Sequence, residues 1–182
     1  YLDGLGIDRR DYLVTSHPDA DHTGGHADVI EHFETTGDGV GEIYDPGIPS
    51  NTQTYEQYLD AVEEHNVTLI EARAGDEIPM AGVSADVLGP PEGYLAGEDP
   101  NENSLVLQLR HGETSMLFTG DAETEGEAFL VEEYGDRLET TVMKAGHHGS
   151  SSSTGTALLD AAHPQAVAIS SPYDSRYGHP PG

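Results

Sequence analysis

The stretch His17-Pro18-Asp19-Ala20-Asp21-His22 decides how this chain is read. It sets four potential metal ligands, His17, Asp19, Asp21 and His22, within six residues. The apolar Tyr12-Leu13-Val14 precedes it, and the small residues Thr23-Gly24-Gly25 follow. This pattern predicts a buried strand over 12–15 that ends in a ligand-rich loop. A strand holds the base of the loop rigid, so successive side chains can be aimed at one point. Imidazole nitrogens and carboxylate oxygens are the donors that zinc and its neighbours accept. A polar turn in an acid-rich protein is the competing reading. It accounts for the two aspartates but not for two histidines at fixed spacing after a strand.

The chain has 182 residues, enough for one domain with a real core. It has no cysteine, which excludes disulfides and thiolate metal sites. No run of about eighteen apolar residues marks a membrane span. The compartment is left open, and an extracytoplasmic or membrane-associated setting through a further segment is compatible with the chain. The charge balance is extreme, with 34 acidic residues against 7 basic and a formal net charge of -27. Disorder is the first explanation to test, and the regularly spaced apolar runs oppose it. The acids are spread along the whole chain rather than gathered in a tail. A halophilic source fits better. At about 1 M ionic strength the Debye length is roughly 3 Å, so self-repulsion and repulsion of nucleic acid are nearly screened.

Apolar periodicity and turn residues predict strands over 12–15, 42–44, 67–71, 83–88, 104–109, 115–119, 140–144 and 166–170. Helices are expected over 25–35, 54–65, 123–134 and 156–162, with a loop over 89–102. Residues 111–113 read as a hairpin turn. The Tyr55/Tyr58 stripe reads as core rather than as a base-stacking platform. No linker or repeat divides the chain, so residues 1–182 read as one domain, an α/β sandwich with helices outside the sheets.

Four further polar segments sit at predicted strand ends: Asn101-Glu102-Asn103-Ser104, Thr119-Gly120-Asp121, Lys144-Ala145-Gly146-His147-His148-Gly149-Ser150 and Tyr177-Gly178-His179-Pro180. Strands lying side by side would bring these loops to one sheet edge. Asp121 can alternatively cap the helix expected over 123–134. Asn103 can satisfy a buried turn. Lys144, the only lysine, can sit in a surface ion pair.

Taken together, these segments resemble the metallo-β-lactamase superfamily. His17-x-Asp19-x-Asp21-His22 is similar to its HxHxDH signature, with aspartate at the second position. That variant, with Asn103-Ser104-Leu105-Val106-Leu107, Leu117-Phe118-Thr119-Gly120-Asp121, the His147-His148 loop and Tyr177-Gly178-His179-Pro180, resembles the hydrolase domain of ComEC competence DNA-uptake proteins. The resemblance spans essentially the whole chain, which looks truncated at both ends against the family. It implies an αββα sandwich and two divalent ions, Zn²⁺ or Mn²⁺. His17 and Asp19 would hold one ion, Asp21 and His22 the other, and Asp121 would bridge them. One of His147 and His148, with a slight preference for His148, would complete a coordination sphere. The family's usual middle histidine is missing, with Asn103 or Asn101 nearest in place. His179 would fill that gap or contact substrate.

The implied activity is hydrolysis by a metal-bound hydroxide, with a DNA phosphodiester as the favoured substrate. Asp21, Asp121, Lys144 and His179 would act at the reacting atoms, Lys144 or His179 by stabilising phosphoryl charge. Two other readings stay open. One is a non-catalytic metal-binding module of a DNA-uptake protein. The other is a hydrolase of a small phosphodiester or thioester. The expected partners are nucleic acid or that small substrate, and a membrane channel domain.

Overall fold

The computed structural model describes residues 3–172. The chain forms two compact units, Tyr1–Ala72 and Arg73–Gly182.

The first unit is a three-stranded parallel sheet, β1 (Arg10–Val14), β2 (Val40–Asp45) and β3 (Thr68–Glu71), in that spatial order. Parallel neighbours need crossover connections, and helices supply them. A single turn, α1 (Ala20–Thr23), and then α2 (His26–Thr36) join β1 to β2. Helix α3 (Gln53–Glu64) joins β2 to β3. Thr52 starts α3 as N-cap, its hydroxyl accepting from Tyr55 N at 3.3 Å. Both helices turn an apolar stripe inward. Ile30 and Phe33 of α2 meet Tyr55, Tyr58 and Val62 of α3 and Ile43 of β2 in one cluster. Tyr58 is fully buried, so the tyrosine stripe is core. Its hydroxyl sits between Thr15 Oγ1 and Asp45 Oδ2, at 3.4 and 3.5 Å. Burial, reinforced by the Asp45 charge, pushes the phenol's pKa up.

Two expectations are corrected in this unit. The buried strand is β2, whereas β1 lies at the edge of the described sheet and is only half-buried. A central parallel strand is covered along both edges, which an apolar run by itself does not announce. The ligand run is also not all loop. Asp19 adopts an extended N-cap conformation, and Thr23 N donates to Asp19 O at 2.9 Å. Asp21 and His22 therefore stand on a helical turn.

The second unit is a mixed five-stranded sheet ordered β4 (Ser84–Gly89), β5 (Val106–His111), β6 (Thr114–Phe118), β7 (Val142–Lys144) and β8 (Ala166–Ala168). β4, β5 and β6 run antiparallel, and β6, β7 and β8 run parallel. The expected hairpin joins β5 to β6 through Gly112-Glu113, with Gly112 at φ +59°. Helices α4 (Thr124–Tyr134) and α5 (Thr156–Ala162) carry Leu130, Leu158 and Ala162 into a core with Leu117 and Met143. Leu117 and Met143 are register partners, so they face the same side of the sheet. Among the described residues no helix is long and apolar enough to cross a membrane.

Candidate functional site

In the first unit the candidate ligands begin three residues past the end of β1. Thr15 N donates to Tyr44 O at 2.8 Å, holding the exit from the strand. His17 follows, fully buried, and His22 comes back beside it from α1, with ring centroids 4.1 Å apart. Between them stands Ser16. Its hydroxyl lies 3.1 Å from His17 Nδ1 and 3.0 Å from His22 Nδ1. An oxygen with two lone pairs can accept an Nδ1–H from each ring, leaving both Nε2 atoms as lone-pair donors. That is the state in which neutral imidazole binds a metal. The two Nε2 atoms each have a carboxylate oxygen 3.9 Å away, Asp19 Oδ2 for His17 and Asp21 Oδ2 for His22. Asp19 is the N-cap of α1, yet its side chain makes no cap bond, so the carboxylate is not spent on the helix.

In the second unit strand register places the candidate ligands. Phe118 of β6 pairs in parallel with Lys144 of β7. Asp121 and His147 each lie three residues beyond that pair, so parallel strands deliver both to one sheet edge. Asp121 is 3% exposed. His148 Nε2 lies 3.6 Å and His147 Nε2 3.9 Å from the same Asp121 Oδ2. The remaining ring nitrogens are tied back. His147 Nδ1 is 2.8 Å from Glu123 Oε1, and His148 Nδ1 is 3.0 Å from Ser170 O. Both histidines thus turn Nε2 toward one buried carboxylate, a donor set of nitrogen and oxygen suited to a divalent ion.

The loop that carries them is strained. His147 (φ 43°, ψ 50°) and His148 (φ 54°, ψ 24°) both occupy the left-handed region, ahead of Gly149 at φ +80°. The left-handed region costs a non-glycine residue about 1–2 kcal/mol. Surrounding bonds offset this. His147 N donates to Gly120 O at 3.3 Å, and Gly146 N to Thr154 Oγ1 at 2.9 Å. The buried Glu127 accepts from Thr154 N and, at 2.8 Å, from Gly155 N. Burial pushes the Glu127 carboxyl above its ordinary pKa, and those two backbone donors oppose the shift. Strain retained by several independent bonds is a feature of functional loops.

The other sequence candidates fall out as follows. Asp121 is not the cap of α4; that position belongs to Glu123, because the chain turns through Ala122 before the helix begins. Among the described residues Lys144 makes no ion pair. Its Nζ donates to Ala145 O at 3.0 Å and to Gly120 O at 3.4 Å. Burial lowers its pKa, with the Asp121 charge opposing. Asn103, fully buried, accepts from Leu95 N at 2.7 Å and donates to Leu95 O and Asp99 O at 2.9 and 2.8 Å. Its amide is thus committed to stapling the loop that follows β4. Tyr177, Gly178, His179 and Pro180 lie outside the described residues. Ser16 and Glu123 escape sequence reading, and Ser104 stands in the Asn101-to-Ser104 segment without a role of its own. Ser104 Oγ accepts from Asp121 N, and Glu123 holds His147. Of Ser16 and Glu123 only Ser16 offers a local signal, its place directly before His17.

The chain matches the model of the metallo-β-lactamase superfamily over residues 1–171, and it belongs to that superfamily of metal-dependent hydrolases. It is 32% identical over 181 residues to ComE operon protein 3 of Bacillus subtilis (strain 168), covering 99% of this chain and 22% of that protein. It is 34% identical over 180 residues to competence protein ComA of Neisseria gonorrhoeae, covering 98% of this chain and 22% of that one. The chain thus spans about a fifth of the length of these curated relatives, and its resemblance to the ComEC-like branch is borne out. Among solved structures, CmlA, a diiron β-hydroxylase from Streptomyces venezuelae, aligns with a TM-score of 0.56 at 14% identity, over 88% of this chain and 35% of that one. That likeness speaks for the metallo-β-lactamase fold alone.

Proposed function

We propose that this chain is a metal-dependent phosphodiesterase acting on DNA. His17, Asp19, Asp21 and His22 of the first unit would be ligands of a divalent ion, and so would Asp121, His147 and His148 of the second. The observation that carries the reading is the aim of the imidazoles. Four Nδ1 atoms are held by Ser16, Glu123 and Ser170 O, and each Nε2 lies within 3.9 Å of an aspartate oxygen. The donor set fits zinc, and its four carboxylate and imidazole pairings also admit the harder Mn²⁺. When bound, such a pair of ions supplies Lewis acidity and an activated water for in-line displacement at phosphorus. The chain's own residues have the remaining tasks. Ser16 fixes the tautomers of His17 and His22. Asp121 brings buried negative charge, and Lys144 stands one strand away to meet developing charge on a phosphoryl oxygen. The DNA assignment is supported by the competence proteins that the chain resembles.

The deciding experiment is a hydrolysis panel at molar salt, pairing single-stranded DNA, double-stranded DNA and bis(p-nitrophenyl) phosphate with Zn²⁺ and Mn²⁺. Metal-dependent cleavage of DNA with two ions per chain is the expected result. Turnover that survives complete metal removal sinks the mechanism. Cleavage confined to bis(p-nitrophenyl) phosphate removes DNA as substrate. Metal binding with no turnover on any substrate favours a non-catalytic module.

A further inference from the structure

We infer that Glu123 is a positioning residue that sets the tautomer of His147 and so makes its Nε2 a metal donor. The inference rests on His147 being a ligand, as proposed above. Glu123 occupies the N-cap of α4, where a short polar side chain ordinarily accepts a bond from the first turn. Its carboxylate makes no such bond. The α4 terminus is served instead by Glu102, whose Oε2 accepts from Gly126 N at 2.7 Å. Glu123 is thus free to turn away from its own helix. Its Oε1 lies 2.8 Å from His147 Nδ1 and accepts from Ser152 Oγ, also at 2.8 Å. One oxygen therefore grips the left-handed histidine turn at both ends, at His147 and five residues on.

The chemical consequence follows from proton placement. A carboxylate can only accept, so His147 must carry its proton on Nδ1. Nε2 is left with a lone pair, 3.9 Å from Asp121 Oδ2. A carboxylate behind an imidazole also raises its basicity toward a metal, and loss of such a partner costs about 10–100-fold in affinity. At His148 the Nδ1 partner is the neutral Ser170 carbonyl instead. The two adjacent histidines are therefore unequal donors, with His147 the stronger.

The test compares the wild type, Glu123→Gln and Glu123→Ala. Histidine tautomers are read by long-range proton–nitrogen NMR on metal-free protein, and Zn²⁺ affinity by competition with a chelating dye. In the wild type His147 is expected as the Nδ1–H form. Glu123→Ala should shift it toward Nε2–H and weaken Zn²⁺ binding about 10–100-fold. Glu123→Gln keeps a carbonyl acceptor, so it should restore the tautomer while recovering only part of the affinity. An Nε2–H form of His147 in the wild type overturns the inference, even if Glu123→Ala fails to fold. So does a Glu123→Ala protein with unchanged tautomer and affinity. A wild type that shows the Nδ1–H form but binds no Zn²⁺ overturns the metal reading instead, and leaves the role of Glu123 in setting the tautomer standing.

Discussion

Ser104 Oγ accepts the backbone N–H of Asp121 at 3.0 Å, and both residues are buried. The bond ties the start of β5 to the loop that leaves β6. Removing the hydroxyl strands a buried donor, which costs about 1–3 kcal/mol. Ser104→Ala should lower stability by that amount in urea denaturation, and should weaken metal binding by loosening Asp121. A variant as stable as the wild type would show that the bond contributes nothing.

Asp121 itself is the residue on which both Nε2 atoms of the second unit converge. Asp121→Ala should abolish turnover while the circular dichroism spectrum is kept. The loss should exceed the roughly 10–100-fold change that follows removal of an outer partner. Unchanged turnover, measured with either metal, would remove Asp121 from the mechanism.

Asn103 gives the opposite expectation. Its three bonds serve Leu95 and Asp99. At about 1 kcal/mol each, Asn103→Ala should cost about 3 kcal/mol of stability. Metal affinity should barely move. A large drop in affinity with stability intact would make Asn103 a site residue in place of the missing histidine.

The pH dependence of Glu127 has a definite sign. Its folded-state pKa is raised by burial above the ordinary 4.5. The folded chain therefore holds this proton more tightly than the unfolded one. The associated stability is fully present below pH 4.5 and is lost as pH rises through the raised value. Glu127→Gln removes that loss. The stability difference between wild type and variant, measured by denaturation at pH 4 and pH 7, should shift toward the variant at the higher pH. A pH-independent difference would contradict the shift.

Salt supplies a global test. With a net charge of -27, self-repulsion is strongest at low ionic strength. Raising salt from about 0.1 to 1 M shortens the Debye length from roughly 10 to 3 Å. The thermal midpoint should climb steadily across that range. A flat profile would remove the halophilic reading of the composition.

The order of elements was legible because it is written in local periodicity. The stripe Tyr55, Tyr58, Val62 reads as a helix face wherever it occurs, and Tyr58 is indeed core. The hairpin at Gly112 needs only a residue that tolerates positive φ. Boundaries moved by at most two residues, and Asp19 turned a predicted loop into a helical turn. The donor types at 17–22 were equally legible, since imidazole and carboxylate chemistry belongs to the residue itself.

The sequence by itself therefore determined which donors this protein offers and on which strand ends they stand. Only the tertiary structure decided which atom of each donor is presented. The partners that settle it come from chain positions far apart, Glu123 for His147 and Ser104 for Asp121, 24 and 17 residues away. The first meeting depends on the parallel register of Phe118 with Lys144, and the second on the antiparallel register of Leu107 with Phe118. A hydrogen bond needs its two atoms within about 3 Å. Periodicity along a chain carries no distance of that kind between residues that only folding makes neighbours.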